Sequence, residues 1–144
     1  EKASHKVQVQ VSFIQQVLIN LIQNACQSMG TSGDLYFRIS DTSLNMKGKY
    51  VKGVEFAIRD TGPGVSLENQ EKLFQDFFTT KPKGLGTGLG LSFSKRVLES
   101  LNGKMGYRTP LPLNFHDSQI DRQHKGAEFW FWLPLATPQR ELTK

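Results

Sequence analysis

Glycine fills every second position from Gly84 to Gly90, with only Leu85, Thr87 and Leu89 between. Immediately behind the run, Leu89, Phe93, Val97, Leu98 and Leu101 fall at helical spacing. Glycine admits positive φ and carries no side chain to keep a ligand at a distance. A glycine run that feeds a helix N-terminus presents unpaired N–H groups and the positive end of a dipole, which suits phosphate. A flexible surface loop would seldom keep Leu at alternate places, so the stretch reads as a phosphate cradle.

Two common cradles are excluded. Walker A requires Lys and Ser or Thr directly after its last Gly, and Leu89 follows Gly88. The dinucleotide fingerprint requires a third Gly three places after the second, which no glycine pair here supplies.

The 144 residues suit one domain with a true core, and the aromatic share of 10% argues against disorder. The net charge of +5 comes from scattered lysines, as on an ordinary solvated surface, and predicts no nucleic-acid partner. Cys26, the single cysteine, excludes an intrachain disulfide and reads as a small buried hydrophobe in a helical run. No apolar stretch approaches the ~20 residues of a membrane span. The start at Glu1 without Met suggests a piece of a longer protein, and a reducing cytoplasmic compartment fits best.

The chain reads as α/β. Val7, Val9 and Val11 alternate with Gln and predict a short strand; Ser12, with Gln15 three places on, predicts a capped helix to about Met29. Its apolar face would hold Phe13, Ile14, Val17, Leu18, Leu21, Ile22 and Ala25, with Gly30 and Gly33 ending it. Leu35 to Ser40 and Val51 to Arg59 predict strands joined by a polar turn around Asn45 to Lys49. Ser66 would cap a short helix through Phe74. A second long helix is expected from about Gly88 to Leu101, then strands at Lys104 to Arg108 and Glu128 to Leu133. Residues 110–125 look like an inserted loop and the tail from Pro138 like a frayed end. No repeat and no second domain is expected.

Asn20 and Asn24 share one helix face. Such a pair either meets solvent or offers amide oxygens of the hard kind that Mg²⁺ accepts. Asp60, at a strand end before Thr-Gly-Pro-Gly, either makes a turn or accepts a hydrogen bond from a base's exocyclic amine.

In order stand Asn20-Leu-Ile-Gln-Asn24-Ala, Asp60-Thr-Gly-Pro-Gly64, Phe74-Gln-Asp-Phe-Phe78-Thr-Thr-Lys81 and Gly86-Thr-Gly-Leu-Gly-Leu91. This set resembles the N, G1, F and G2 boxes of the histidine-kinase ATP-binding domain, within the gyrase, chaperone, histidine-kinase and MutL superfamily, over about Gln8 to Leu135. Phe-Phe-Thr-Thr-Lys-Pro close to Gly-Thr-Gly-Leu-Gly-Leu is most similar to the nitrogen-regulation and PAS-linked sensor kinases. The resemblance implies a two-layer sandwich, a mixed sheet backed by about three helices, with a mobile ATP lid.

The same resemblance implies roles. Asn24 would coordinate Mg²⁺ on the ATP phosphates, with Asn20 beside it supporting ion or phosphate. Asp60 would bind the adenine amino group, with Gly62 and Gly64 letting the chain pass close to the base. Phe74, Phe77 and Phe78 would anchor a lid made of Thr79, Thr80, Lys81, Lys83, Gly84, Leu85, Gly86, Thr87, Gly88, Leu89 and Gly90. Lys81, with Lys83, would touch the triphosphate tail. Departures are Thr79, where relatives carry Arg or Lys; Ala127, where many have Thr; and Gln27, often a basic residue.

In the gyrase-like and MutL-like ATPases a Glu stands where this chain has Asn20, and an amide has no basicity to activate water. Transfer to a protein acceptor is therefore expected, the acceptor being a His on a separate upstream dimerisation domain and a response-regulator receiver following. His5, His116 and His124 are poor acceptor candidates, so the chain is expected to bind ATP without autophosphorylating, as a monomer. The alternatives are a degenerate ATP-sensing module, a Ser kinase of the anti-sigma-factor branch and, third, a DNA-linked ATPase.

Overall fold

The computed structural model describes Val7, residues 9–109 and residues 126–136. The inserted loop at 110–125, the tail from Pro138 and all three histidines lie outside the described residues.

The first helix, α1 (Val11–Met29), is followed by the strands β1 (Leu35–Met46) and β2 (Lys49–Asp60). A short α2 (Leu67–Gln70), α3 (Gly90–Ser100), β3 (Lys104–Arg108) and β4 (Ala127–Pro134) complete the described chain. The sheet order is β1-β2-β4-β3, and every neighbouring pair is antiparallel. The family resemblance implies a mixed sheet. Strands β2 and β3 do run the same way, but β4 slots between them, so no parallel pair forms.

The hairpin of β1 and β2 is longer than the sequence suggests. Its turn narrows to Lys47 (φ 53°) and Gly48 (φ 84°), the positive-φ pair of a tight hairpin, and the Gly48 N–H donates to Asn45 Oδ1 at 2.8 Å.

The strand expected at Val7 to Val11 does not form: Val7, Val9 and Gln10 are not in a strand, and Val11 opens α1. The Gln10 carbonyl accepts from the N–H groups of Phe13 and Ile14, so Ser12 lies inside the first turn and no side chain caps the helix. Val7 and Val9 still pack against the core, which explains their apolar spacing without a ladder. Gly30, at φ 72°, ends the helix as expected.

Val17, Leu21 and Ala25 are buried at four-residue intervals on α1, while Phe13 is exposed. Cys26, one place beyond Ala25, is rotated off that stripe and exposed, contrary to the expected burial. Opposite stand Leu98 from α3 and Ile58, Phe131 and Leu133 from the sheet. Phe56 stacks on Phe131 with centroids 4.8 Å apart. The sheet's other face carries an alternating ion lattice in which Arg38 and Arg108 both contact Glu55 and Glu128. Among the described residues, no helix is long and apolar enough to cross a membrane.

Candidate functional site

A cleft of about 1080 Å³ opens between α1, the end of β2, the start of β4 and the long connection from α2 to α3. Helix α1 supplies Asn20, Asn24 and Gln27 from one face, because three- and four-residue steps return to the same side.

Asn20 is at the cleft, but its amide is already engaged. Its Nδ2 donates to the Gly90 carbonyl at 3.2 Å and to Ser94 Oγ at 3.1 Å, while its Oδ1 accepts from Gln16 Nε2 at 3.0 Å. The side chain thus braces α1 against the first turn of α3. Asn24 presents its oxygen to a cation, since Lys81 Nζ lies 3.5 Å from Asn24 Oδ1 and also donates to Gln27 Oε1.

Asp60 ends β2 opposite Ala127 and is only 3% exposed. Its Oδ1 accepts the Gly62 N–H at 2.8 Å. Burial pushes its carboxyl above the usual range, against the N–H groups of Gly62 and Ala127 and the charge of Arg59, which pull it down. Gly62 itself does not line the cleft; a Cβ there would sit 2.8 Å from Ser28 Oγ and 2.9 Å from Asp60 Oδ1. Its carbonyl accepts from the Gly126 N–H at 2.9 Å, tying this loop to β4. Gly64 lines the cleft at φ 76°.

The connection from α2 wraps over the cleft. Phe74, half-buried, packs edge-on against Phe129 with centroids 6.5 Å apart and sits against the core rather than lining the cleft. Phe78 lines the cleft, while Phe77 is exposed at φ 64°. Thr79, Thr80, Lys81, Gly84, Leu85, Gly86, Thr87, Gly88 and Gly90 all line it. Lys83 and Leu89 do not.

One glycine in the run is required by the backbone around it, and a second is crowded by side chains. At Gly88 (φ 67°) an added Cβ would lie 2.4 Å from the Phe77 carbonyl carbon, so residues 77 and 88 touch and close a neck. At Gly86 it would lie 2.8 Å from Thr79 Oγ1. Outside the neck, Asp76 pairs with Arg96 of α3 at 2.7 Å; the hydroxyl of Ser92 and then Arg96 hold its carboxyl below the usual range.

Sequence reasoning missed Gln23, Ser28, Asn69, Leu73 and Phe129 as cleft residues. Phe129 was legible only as a core position of a strand, and Gln27 only as a missing basic residue. No group of three or more His, Cys, Asp or Glu side chains able to hold a metal exists among the described residues.

The sequence profile of a family described as histidine kinase-, DNA gyrase B- and HSP90-like ATPase matches residues 9–137. The sensor histidine kinase ZraS of Escherichia coli O157:H7 is 28% identical over 136 residues, which are 94% of this chain and 25% of ZraS. The solved catalytic domain of histidine kinase ThkA is 33% identical with a TM-score of 0.60, over 89% of this chain and 70% of that one. Full-length ShkA in complex with AMPPNP is 28% identical with a TM-score of 0.64, over 93% of this chain and 24% of that one. The chain spans a quarter or less of the curated relatives it matches.

Proposed function

The chain belongs to the histidine kinase-, DNA gyrase B- and HSP90-like ATPase family, as an ATP-binding domain of the sensor histidine kinase kind, and we propose that it passes the γ-phosphoryl of ATP to a histidine on a separate dimerisation domain. A response-regulator receiver domain would then take the group. The observation that carries this reading is convergence: Asn24, Asp60 and the glycine lid, far apart in sequence, line one cleft.

In this reading Asp60, ionised, accepts a hydrogen bond from the adenine amine. Its rigid seat at a strand end and its burial make that contact directional. Gly86, Gly88 and the first turn of α3 offer backbone N–H groups to the phosphates. The residues fit a divalent cation: Asn24 Oδ1 already faces the ammonium of Lys81 and would be one hard ligand, with the remaining ligands to come from phosphate and water. That cation would supply charge neutralisation during transfer.

Asn20 has no basicity with which to activate water, and its amide donors are spent on α3. The chain's own work is positioning, which for phosphoryl transfer supplies most of the rate. The reading also places the domain on the cytoplasmic side of any membrane that the longer protein meets.

The test is calorimetric titration of ATP with Mg²⁺, followed by labelled-ATP transfer to an added upstream His-bearing domain. Binding followed by an acid-labile, histidine-linked phosphate is expected. Absence of binding at millimolar ATP would refute the ATP-binding role, and binding without transfer would refute the kinase role alone.

A further inference from the structure

Lys81 reaches back from the lid to α1, where its ammonium donates to Gln27 Oε1 and lies 3.5 Å from Asn24 Oδ1. The two amides stand three residues apart on one helix face, and both line the cleft. At the other end the Lys81 N–H is held by Thr79 Oγ1 at 3.1 Å. Between these ends the stem runs beside Gly86, where an added Cβ would lie 2.9 Å from Lys81 Cδ. The lysine's path is therefore defined by backbone, by stem and by head group.

Resting on the reading above, we infer that Gln27 and Asn24 form a holding site for the Lys81 ammonium, and that this ammonium and a divalent cation are alternative occupants of the Asn24 oxygen. Two cations on one amide oxygen repel each other in a partly desolvated cleft. Mg²⁺ also demands a near-octahedral shell and keeps several waters, which leaves no place for an ammonium at hydrogen-bond distance.

Metal arriving at Asn24 frees Lys81 from α1, and a triphosphate in the same cleft offers it charged acceptors stronger than an amide. Gln27 is a positioning residue in this exchange. As a neutral acceptor it keeps the lysine beside α1 without outbidding phosphate. It also gives a role to the position where the family resemblance leads one to expect a basic residue: a cation there would repel Lys81.

The test combines two readouts on this chain, with Gln27→Leu and Lys81→Met beside wild type. The first is the side-chain amide signal of Gln27 in ¹⁵N NMR. The second is the Mn²⁺ concentration that half-saturates AMPPNP binding. Adding Mg²⁺ with AMPPNP is expected to move the wild-type Gln27 signal toward its position in Lys81→Met. The half-saturating Mn²⁺ is expected to fall at least threefold in Gln27→Leu. A Gln27 signal left in place by both changes, or a half-saturating Mn²⁺ equal in wild type and Gln27→Leu, overturns the exchange. Wild type that binds AMPPNP normally while showing either result sinks the exchange alone; wild type that never binds AMPPNP sinks the nucleotide reading with it.

Discussion

Replacing Asp60 by Asn separates ligand recognition from stability, because the structure sets the two effects in opposite directions. Asp60 is 3% exposed and burial raises the proton affinity of its carboxylate, so its charge is a cost to the fold. Asn keeps an oxygen for the Gly62 N–H at 2.8 Å and removes that charge, a gain set against the poorer acceptor it leaves for the Ala127 N–H. Stability should change by at most about 1 kcal/mol, a Tm shift within ~4 °C for a domain of this size. Adenine loses a charged acceptor, and the new amide can present a donor to the donor amine. A hydrogen bond to a charged group contributes about 1.5–3 kcal/mol, so the ATP Kd should rise roughly 10- to 150-fold. Calorimetry gives the Kd and differential scanning calorimetry the Tm. An Asp60→Asn protein that binds ATP within threefold of wild type would refute the adenine contact. One that loses binding only because it no longer folds would refute the view that the ionised carboxylate is a burden to the native state.

Further outcomes follow from the same geometry. Gly88→Ala combines a φ of 67° with a Cβ 2.4 Å from the Phe77 carbonyl carbon, so the neck must open. Left-handed backbone alone costs about 1–2 kcal/mol, and an ATP Kd raised ~10-fold with little change in Tm is expected from titration and thermal melts. Because Asp60 takes up a proton above the ordinary carboxylate range, ATP binding should weaken as pH falls through that raised pKa, and Asp60→Asn should lack this pH dependence in the same titration. For stability the sign is opposite: ionised Asp60 destabilises the free fold above its unfolded pKa, and this cost fades as pH falls through the folded one, a trend that urea melts with Asp60→Asn as reference would isolate.

The cleft was legible to the extent that its chemistry depends on residue type and order. Asn24, Asp60 and the alternating glycines stand in the sequence at intervals that the fold converts into one wall each, and the structure assembles them together. What was not legible depends on phase and on long-range contacts. The alternation at Val7 to Val11 mimics a strand, yet Val11 begins a helix whose carbonyl acceptor is Gln10. Cys26 belongs to an apolar run but falls about 100° from Ala25 on the helix, enough to reach solvent. Phe129 and Leu73 reach the cleft from a strand and from the turn after α2, and nothing in their local sequence distinguishes them from other core positions. Gln27 acquires meaning only through Lys81, 54 residues away.

Asn20 lines the cleft, and its hydrogen bonds give it a role that its residue type alone does not convey. The family resemblance puts a water-activating Glu here in the gyrase branch, which invites the expectation that Asn20→Glu would convert the domain into an ATPase. The surroundings argue otherwise. Asn20 Nδ2 is a donor to two acceptors on α3, the Gly90 carbonyl at 3.2 Å and Ser94 Oγ at 3.1 Å. Asn20→Ala removes both bonds, at about 1 kcal/mol each, which predicts a Tm lower by ~4–8 °C. Glutamate has no hydrogen to donate and turns a charged oxygen toward the Gly90 carbonyl, adding about 1–3 kcal/mol of unsatisfied acceptor. Asn20→Glu should therefore melt below Asn20→Ala and release no more phosphate than wild type in a malachite-green assay. Phosphate release well above wild type at unchanged Tm would refute the brace, because it would show that α3 does not need this amide and that the position is free to act on water.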